Sequence, residues 1–250
     1  MPRFSQKSHN TIGPTPPTSY EPRSTLQQNA TSAWLLGLLG LAVLLIPVLI
    51  DSRIQRVISI AANDQSLSGL AFPEVPQQHC EALVRQLKTG DRITSIVFAD
   101  RPERIQDKKI RNTFTLLKEC RELDPDHRRL SSSLGTQRGT SPERLLDQII
   151  DTIAAKRTQG LQAPVVVTIW LQAAEPLPNQ SPINFTRLQE QVEKVTSDRG
   201  IVAIISPPGQ LQTDLMTYLK TNPKSRICTL NEVDECVAEV FEMARRSPNH

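Results

Sequence analysis

Beyond residue 53, hydrophobic and polar positions alternate between short apolar runs and amphipathic stretches. The apolar runs are rich in β-branched residues and have no polar face, which is typical of strands buried on both sides. The amphipathic stretches repeat their apolar residues every three or four positions, which predicts helices. The predicted strands span residues 57–62, 90–100, 163–172, 200–206 and 225–230. The predicted helices span residues 76–88, 110–123, 141–157, 184–199, 210–220 and 231–246.

This alternation predicts an α/β fold, with a doubly wound, mostly parallel sheet flanked by helices, as in Rossmann-like domains. In such sheets ligands bind beyond the carboxyl ends of the strands, near the point where the strand order reverses. The stretch RVISIAANDQSLSG (56–69) brings Asp64, Ser66 and Ser68 directly after the first predicted strand. We therefore expect a binding site at this strand end.

A separate apolar run, AWLLGLLGLAVLLIPVLI, occupies residues 33–50 and contains no charge. At 1.5 Å per residue it reaches about 27 Å, which is enough to cross the hydrocarbon core of a bilayer. It is long for a cleaved signal peptide, and no A-x-A site follows it. We therefore predict one transmembrane helix in contact with the lipid bilayer. Residues 1–32, which are rich in Pro, Ser, Thr and Gln, are predicted to be a disordered tail.

The chain is therefore predicted to be a single-pass membrane protein, with an α/β domain at residues 53–246 and a short tail at 247–250. Arg3, Lys7 and Arg23 precede the span, while Arg53 and Arg56 follow it. This balance of positive charge slightly favours an extracytoplasmic domain and leaves the orientation open.

Composition excludes some classes of function and disfavours others. The net charge of the 250 residues is only +3 and aromatic residues make up 4% of them, so we expect no nucleic-acid partner. The four cysteines show no CxxC pairing and no histidine at ligand spacing, so a zinc site is not expected. They are predicted to be buried thiols, with a disulfide as the alternative in an oxidising compartment. The cysteines are Cys80, Cys120, Cys228 and Cys236.

Signatures of catalysis are missing from the sequence. There is no Gly-x-Ser-x-Gly elbow and no phosphate-binding loop, so we expect no catalytic residues and no enzyme. His79 has no base or nucleophile at a useful spacing, and we expect it to be a solvated histidine near the start of a helix.

The chemistry of the Asp-x-Ser-x-Ser motif suits a hard divalent cation. Such an ion prefers carboxylate and neutral oxygen ligands. Because the two hydroxyls add no negative charge, the ion would keep a net positive charge and could accept a carboxylate from a partner. The alternative is an ordinary turn in which Asp and Ser bond to nearby backbone N–H groups.

NDQSLSG (63–69) after a first strand resembles the metal-ion-dependent adhesion site of von Willebrand factor type A domains. The order of elements from about residue 53 to 246 is similar to that family. LKTGDRITSIVFADRPE (87–103) resembles its second-strand segment. GTSPERLLDQI (139–149) resembles the loop in which the family places a metal-binding threonine, here Thr140, with Thr136 as the competing choice.

The resemblance implies a metal site of Asp64, Ser66, Ser68 and Thr140 that holds Mg²⁺ or Mn²⁺. It also implies a protein partner, bound through an acidic side chain as in cell adhesion.

One departure from the family pattern weakens the expected metal site. The family commonly reads L-T-D-G-E-P after its central strand, whereas this chain reads LQAAEP (171–176), so that Ala173 stands in place of the acid. Loss of such a carboxylate commonly costs about 10- to 100-fold in metal affinity. The site could bind metal weakly, bind it only with a partner's acid, or bind none.

Two alternative functions follow from this departure. The domain could be a metal-independent scaffold or an assembly subunit of a membrane complex. A Rossmann-like hydrolase using Asp64 is disfavoured, because Ser66 and Ala173 stand where such enzymes carry acids.

Overall fold

The computed structural model describes residues 55–66, 74–114, 116–117, 139–172 and 182–247, all within the unit Ile54–His250. The strands are β1 (Ile58–Asp64), β2 (Arg92–Phe98), β3 (Pro102–Lys109), β4 (Val165–Trp170), β5 (Gly200–Ile205) and β6 (Ser225–Cys228). The helices are α1 (Glu74–Gln86), α2 (Pro142–Thr158), α3 (Phe185–Ser197), α4 (Gln210–Leu219) and α5 (Val233–Arg246), with a 3-10 turn at Leu230–Glu232.

The described strands form one six-stranded sheet in the order β3-β2-β1-β4-β5-β6. All neighbouring strands are parallel except β2 and β3, which are antiparallel. The predicted mostly parallel α/β sheet is therefore confirmed. The chain moves outward from β1 to one edge and then returns to place β4 on the other side of β1. The strand order thus reverses between β1 and β4.

Both faces of the sheet are covered by helices, because the central strands are apolar on both sides. All six residues of β4 and all six of β5 are buried. One apolar layer packs α1 and α5 on the face that carries Ala61 and Val166. The other packs α2, α3 and α4 on the face that carries Ile60 and Val167.

Strand β3 was not predicted from the sequence. Its residues, PERIQDKK, are mostly charged or polar and lie at the edge of the sheet, where only β2 pairs with them. An edge strand tolerates charge on both faces, so it shows no apolar alternation. One residue of this strand, Asp107, also contacts a helix. Its carboxylate pairs at 2.9 Å with Lys156 of α2, whose side chain is 3% exposed.

At the start of α2, two of the three residue types typical of a helix N-terminus have their usual role. Pro142 occupies the first turn together with Glu143, as expected for a helix N-terminus. Ser141 precedes them, but its side chain makes no capping hydrogen bond.

The expectation of buried free thiols is wrong for the described cysteines. Cys228 at the end of β6 and Cys236 in α5 form a disulfide, with their Cα atoms 6.3 Å apart. Cys80 in α1 is also disulfide-bonded. Tertiary structure brings Cys228 and Cys236 together, because the chain reverses direction between β6 and α5.

Several predicted segments lie outside the described residues. These are the tail at residues 1–32, the transmembrane helix at 33–50, half of the helix at 110–123, and residues 248–250. Among the described helices, none has the length and apolar character needed to cross a bilayer.

Candidate metal and partner-binding site

The candidate site lies at the carboxyl ends of β1 and β4, the two strands between which the sheet order reverses. Parallel pairing matches Asn63 with Trp170, so Asp64 and the residues after β4 come to the same edge. The loop that leads into α2 reaches this edge as well, because the N–H of Ser141 donates to the carbonyl oxygen of Ala99, just beyond β2. Three separate chain segments therefore meet where a ligand is expected.

Asp64 is fully buried at the centre of this site. Its Oδ1 accepts the backbone N–H of Ser66 at 2.8 Å. Its Oδ2 accepts the backbone N–H of Gln172 at 3.0 Å. The hydroxyl of Thr140 lies 3.5 Å from the same Oδ2, at the outer limit of a hydrogen bond. The carboxylate thus connects the loops after β1 and β4 with the loop before α2.

The structure brings together three of the four predicted site residues. Asp64, Ser66 and Thr140 converge, as the preceding distances show, and Ser66 is buried. Ser68 lies outside the described residues, as do Ala173 and the competing Thr136. The sequence did not predict the role of Gln172, whose backbone N–H bonds to Asp64, because a backbone donor leaves no mark on residue type.

Burial raises the pKa of Asp64 above its usual value, because a charged carboxylate loses its hydration there. Hydrogen bonds from the side chain and backbone of Ser66, from the backbone of Gln172 and from the hydroxyl of Thr140 act in the opposite direction. All of these donors are neutral. In the described part of the chain, no cationic side chain forms an ion pair with this carboxylate.

The donor chemistry of these residues fits a hard divalent cation. A carboxylate offers about four acceptor positions, and four donors from Ser66, Gln172 and Thr140 act on Asp64. A hydroxyl that gives its proton to Asp64 keeps oxygen lone pairs for an ion. Ser66 and Thr140 would therefore be direct ligands, with Asp64 orienting them and supplying the negative charge. Within the described residues, no group of three or more His, Cys, Asp or Glu side chains could hold a metal.

The expectation that His79 is solvated is wrong. It is fully buried in α1, with Nδ1 2.8 Å from Oδ1 of Asn63 and Nε2 2.8 Å from Oγ1 of Thr168. Burial lowers its pKa to about 4. The sequence did carry a signal for this, because His79 precedes the buried Ala82 and Leu83 by three and four positions and so shares their face of the helix.

No protein-family model matches the sequence. No curated protein matches it either.

The fold resembles several solved structures at low sequence identity. A manganese-loaded TRAP protein from Plasmodium vivax matches with a TM-score of 0.52 and 16% identity, over 75% of this chain and 74% of that one. An aerotolerance-related membrane protein from Bacteroides fragilis matches with a TM-score of 0.50 and 15% identity, over 75% and 99%. Proximal thread matrix protein 1 from the mussel byssus matches with a TM-score of 0.50 and 14% identity. This chain contributes 76% of its residues to that match but spans only 47% of the mussel chain. At these identities the likeness establishes the fold alone.

Proposed function

This chain has the fold of a von Willebrand factor type A domain, and we propose that it displays the domain from a single-pass membrane anchor to bind another protein. The anchor is the apolar run at residues 33–50. The binding edge is the Asp64 end of the sheet, where the strand order reverses. We propose no catalytic role, because the described part of the site offers one carboxylate and hydroxyls without a base or nucleophile pair.

The observation that carries this proposal is the buried Asp64 carboxylate, which receives hydrogen bonds only from neutral groups in the described residues. Burying a negative charge without a cation is costly. A divalent ion beside Asp64 would offset that cost and would stabilise the charged form of the carboxylate. This favours a ligand-binding edge over an ordinary turn.

In the metal-dependent form of the proposal, Mg²⁺ or Mn²⁺ binds through the hydroxyls of Ser66, Ser68 and Thr140. The Asp64 carboxylate supplies negative charge and accepts hydrogen bonds from Ser66 and Thr140. When bound, the ion supplies a positive charge that attracts an acidic side chain of the partner. Ala173, in place of an acid, leaves the site with less negative charge, so the ion would attract the partner's carboxylate more strongly. The description of the Plasmodium structure as manganese-loaded makes Mn²⁺ a sensible probe.

One observation favours a second candidate, a metal-independent scaffold or assembly subunit of a membrane complex. Four hydrogen bonds from neutral donors already act on Asp64, and such a carboxylate can complete a purely structural turn. In this case the loops would form a rigid protein-binding surface that needs no ion.

Calorimetric titration of the full chain in detergent micelles with Mn²⁺ and Mg²⁺ separates the two candidates. The metal-dependent form predicts heat of binding and a raised melting temperature in the wild type, with both lost in Asp64→Asn. A matched control is Asp147→Asn, which removes an exposed carboxylate on α2. Absence of heat and of any melting shift at millimolar ion would exclude the metal-dependent form.

Affinity purification from detergent-solubilised membranes tests partner binding itself. Wild type and Asp64→Ala would be compared, each with and without a chelator. Metal-dependent binding predicts that the chelator and the substitution each reduce recovery of the same partner. Equal recovery in all four samples would support the scaffold instead.

The disulfide between Cys228 and Cys236 supports an oxidising location for the domain, since such bonds are rare in the cytosol. We therefore propose an extracytoplasmic domain, in line with the slight charge asymmetry around the span. Alkylation of free thiols in intact cells, followed by reduction and mass tagging, would detect the oxidised pair. Cysteines that are fully alkylated before reduction would argue for the opposite orientation.

A further inference from the structure

A hydrogen-bonded polar group lies in the apolar layer directly below the candidate site. Its three members are Asn63 on β1, Thr168 on β4 and His79 on α1. Both contacts of the imidazole are 2.8 Å long, and His79 and Thr168 are fully buried. The surrounding layer is mostly apolar, and the three side chains of this group bond to one another within it.

The bonding partners define the proton position on the imidazole. Oδ1 of Asn63 can only accept, so Nδ1 of His79 carries the proton and donates it. Nε2 is then unprotonated and accepts the hydroxyl proton of Thr168. The neutral ring therefore connects two neighbouring strands through opposite hydrogen-bonding roles, which an apolar side chain of the same size could not do.

These two strands are the ones whose ends build the candidate site. Asn63 immediately precedes Asp64, and Thr168 lies on the strand that leads to Gln172. The N–H of Gln172 donates to Asp64 at 3.0 Å. We propose that His79 is a positioning residue, which holds the ends of β1 and β4 so that the Asp64 carboxylate meets the Gln172 N–H. This role rests on the proposed binding site at these loops, and it does not require that the site binds a metal.

The first test measures hydrogen exchange of the Gln172 amide in the full chain in detergent micelles. His79→Leu removes both hydrogen bonds, and Thr168→Val removes one of them while leaving the histidine in place. Val84→Ala is the matched control, because Val84 is buried in the same helix and the same apolar layer but has no side-chain polar group. We expect faster exchange at Gln172 in the first two variants than in the control. Unchanged exchange in both would overturn the inference.

The second readout is Mn²⁺ affinity by calorimetry, measured on the same variants. We expect His79→Leu to bind Mn²⁺ about tenfold more weakly, as is common when a residue that supports ligands is lost. His79→Gln, which keeps an N–H donor and an oxygen acceptor, should recover most of the affinity, and Val84→Ala should match the wild type.

The outcomes separate this inference from the proposed function. If the wild type binds Mn²⁺ and His79→Leu binds it equally well with unchanged Gln172 exchange, His79 is a core residue only and the metal proposal stands. If the wild type binds no Mn²⁺ but Gln172 exchange rises in His79→Leu and Thr168→Val, the positioning role is supported and the metal proposal fails.

Discussion

Acidification should destabilise this domain through His79. Its pKa is about 4 when folded, against 6.5 for an ordinary histidine. Below pH 6.5 the unfolded chain therefore takes up a proton that the folded chain does not. The free energy of unfolding falls as the pH decreases from 6.5, and the loss is complete at about pH 4.

The size of this effect follows from the two pKa values. Within this window, each fall of one pH unit lowers the free energy of unfolding by up to about 1.36 kcal/mol. The whole interval from pH 6.5 to about pH 4 therefore corresponds to about 3.4 kcal/mol. Between pH 7 and pH 5 the expected loss is about 2 kcal/mol. That is a large part of the total stability of a typical domain, which is only ~5–15 kcal/mol.

Urea denaturation at pH 7 and pH 5 provides the assay, with the fluorescence of the buried Trp170 as the signal. A Trp34→Phe background removes the only other tryptophan. Wild-type His79 is compared with His79→Gln, because every other titrating group is shared and its contribution cancels in the difference. Between pH 7 and pH 5, the free energy of unfolding of the variant should fall by about 2 kcal/mol less than that of the wild type. Equal losses would refute the claim that His79 is buried and neutral in the folded protein.

Three further perturbations test features of the fold, with urea denaturation as the measurement. Asp107→Ala should cost about 1–3 kcal/mol, because it removes the acceptor of the buried Lys156 ammonium, while an unchanged midpoint would mean that Lys156 reaches solvent. Gly200→Ala should cost about 1–3 kcal/mol, because the new Cβ would overlap the backbone oxygen of Val195 in α3, and wild-type stability would contradict that close approach. Replacing Cys228 and Cys236 by serine should cost about 2.5 kcal/mol under oxidising conditions and nothing under reducing ones.

The sequence alone predicted the class of fold and most of the elements, because their signals are local. β4 is apolar and β-branched on both faces, so its burial can be read from six consecutive residues. The helices carry apolar stripes at helical spacing, which reveal their buried faces. The motif after β1 could be assigned to a strand end, and from there to the edge of a parallel sheet where ligands bind.

Tertiary structure decided the features that depend on partners distant in the chain. β3 is a strand because β2 supplies its hydrogen bonds, and its own charged residues give no sign of this. His79 is buried because Asn63 and Thr168 form hydrogen bonds with both of its ring nitrogens. Thr168 is 89 residues away from His79 in the sequence. Asp64 meets the backbone N–H of Gln172, 108 residues away. Side-chain periodicity records which face of an element is apolar, but it carries no information about which polar groups will meet across the sheet.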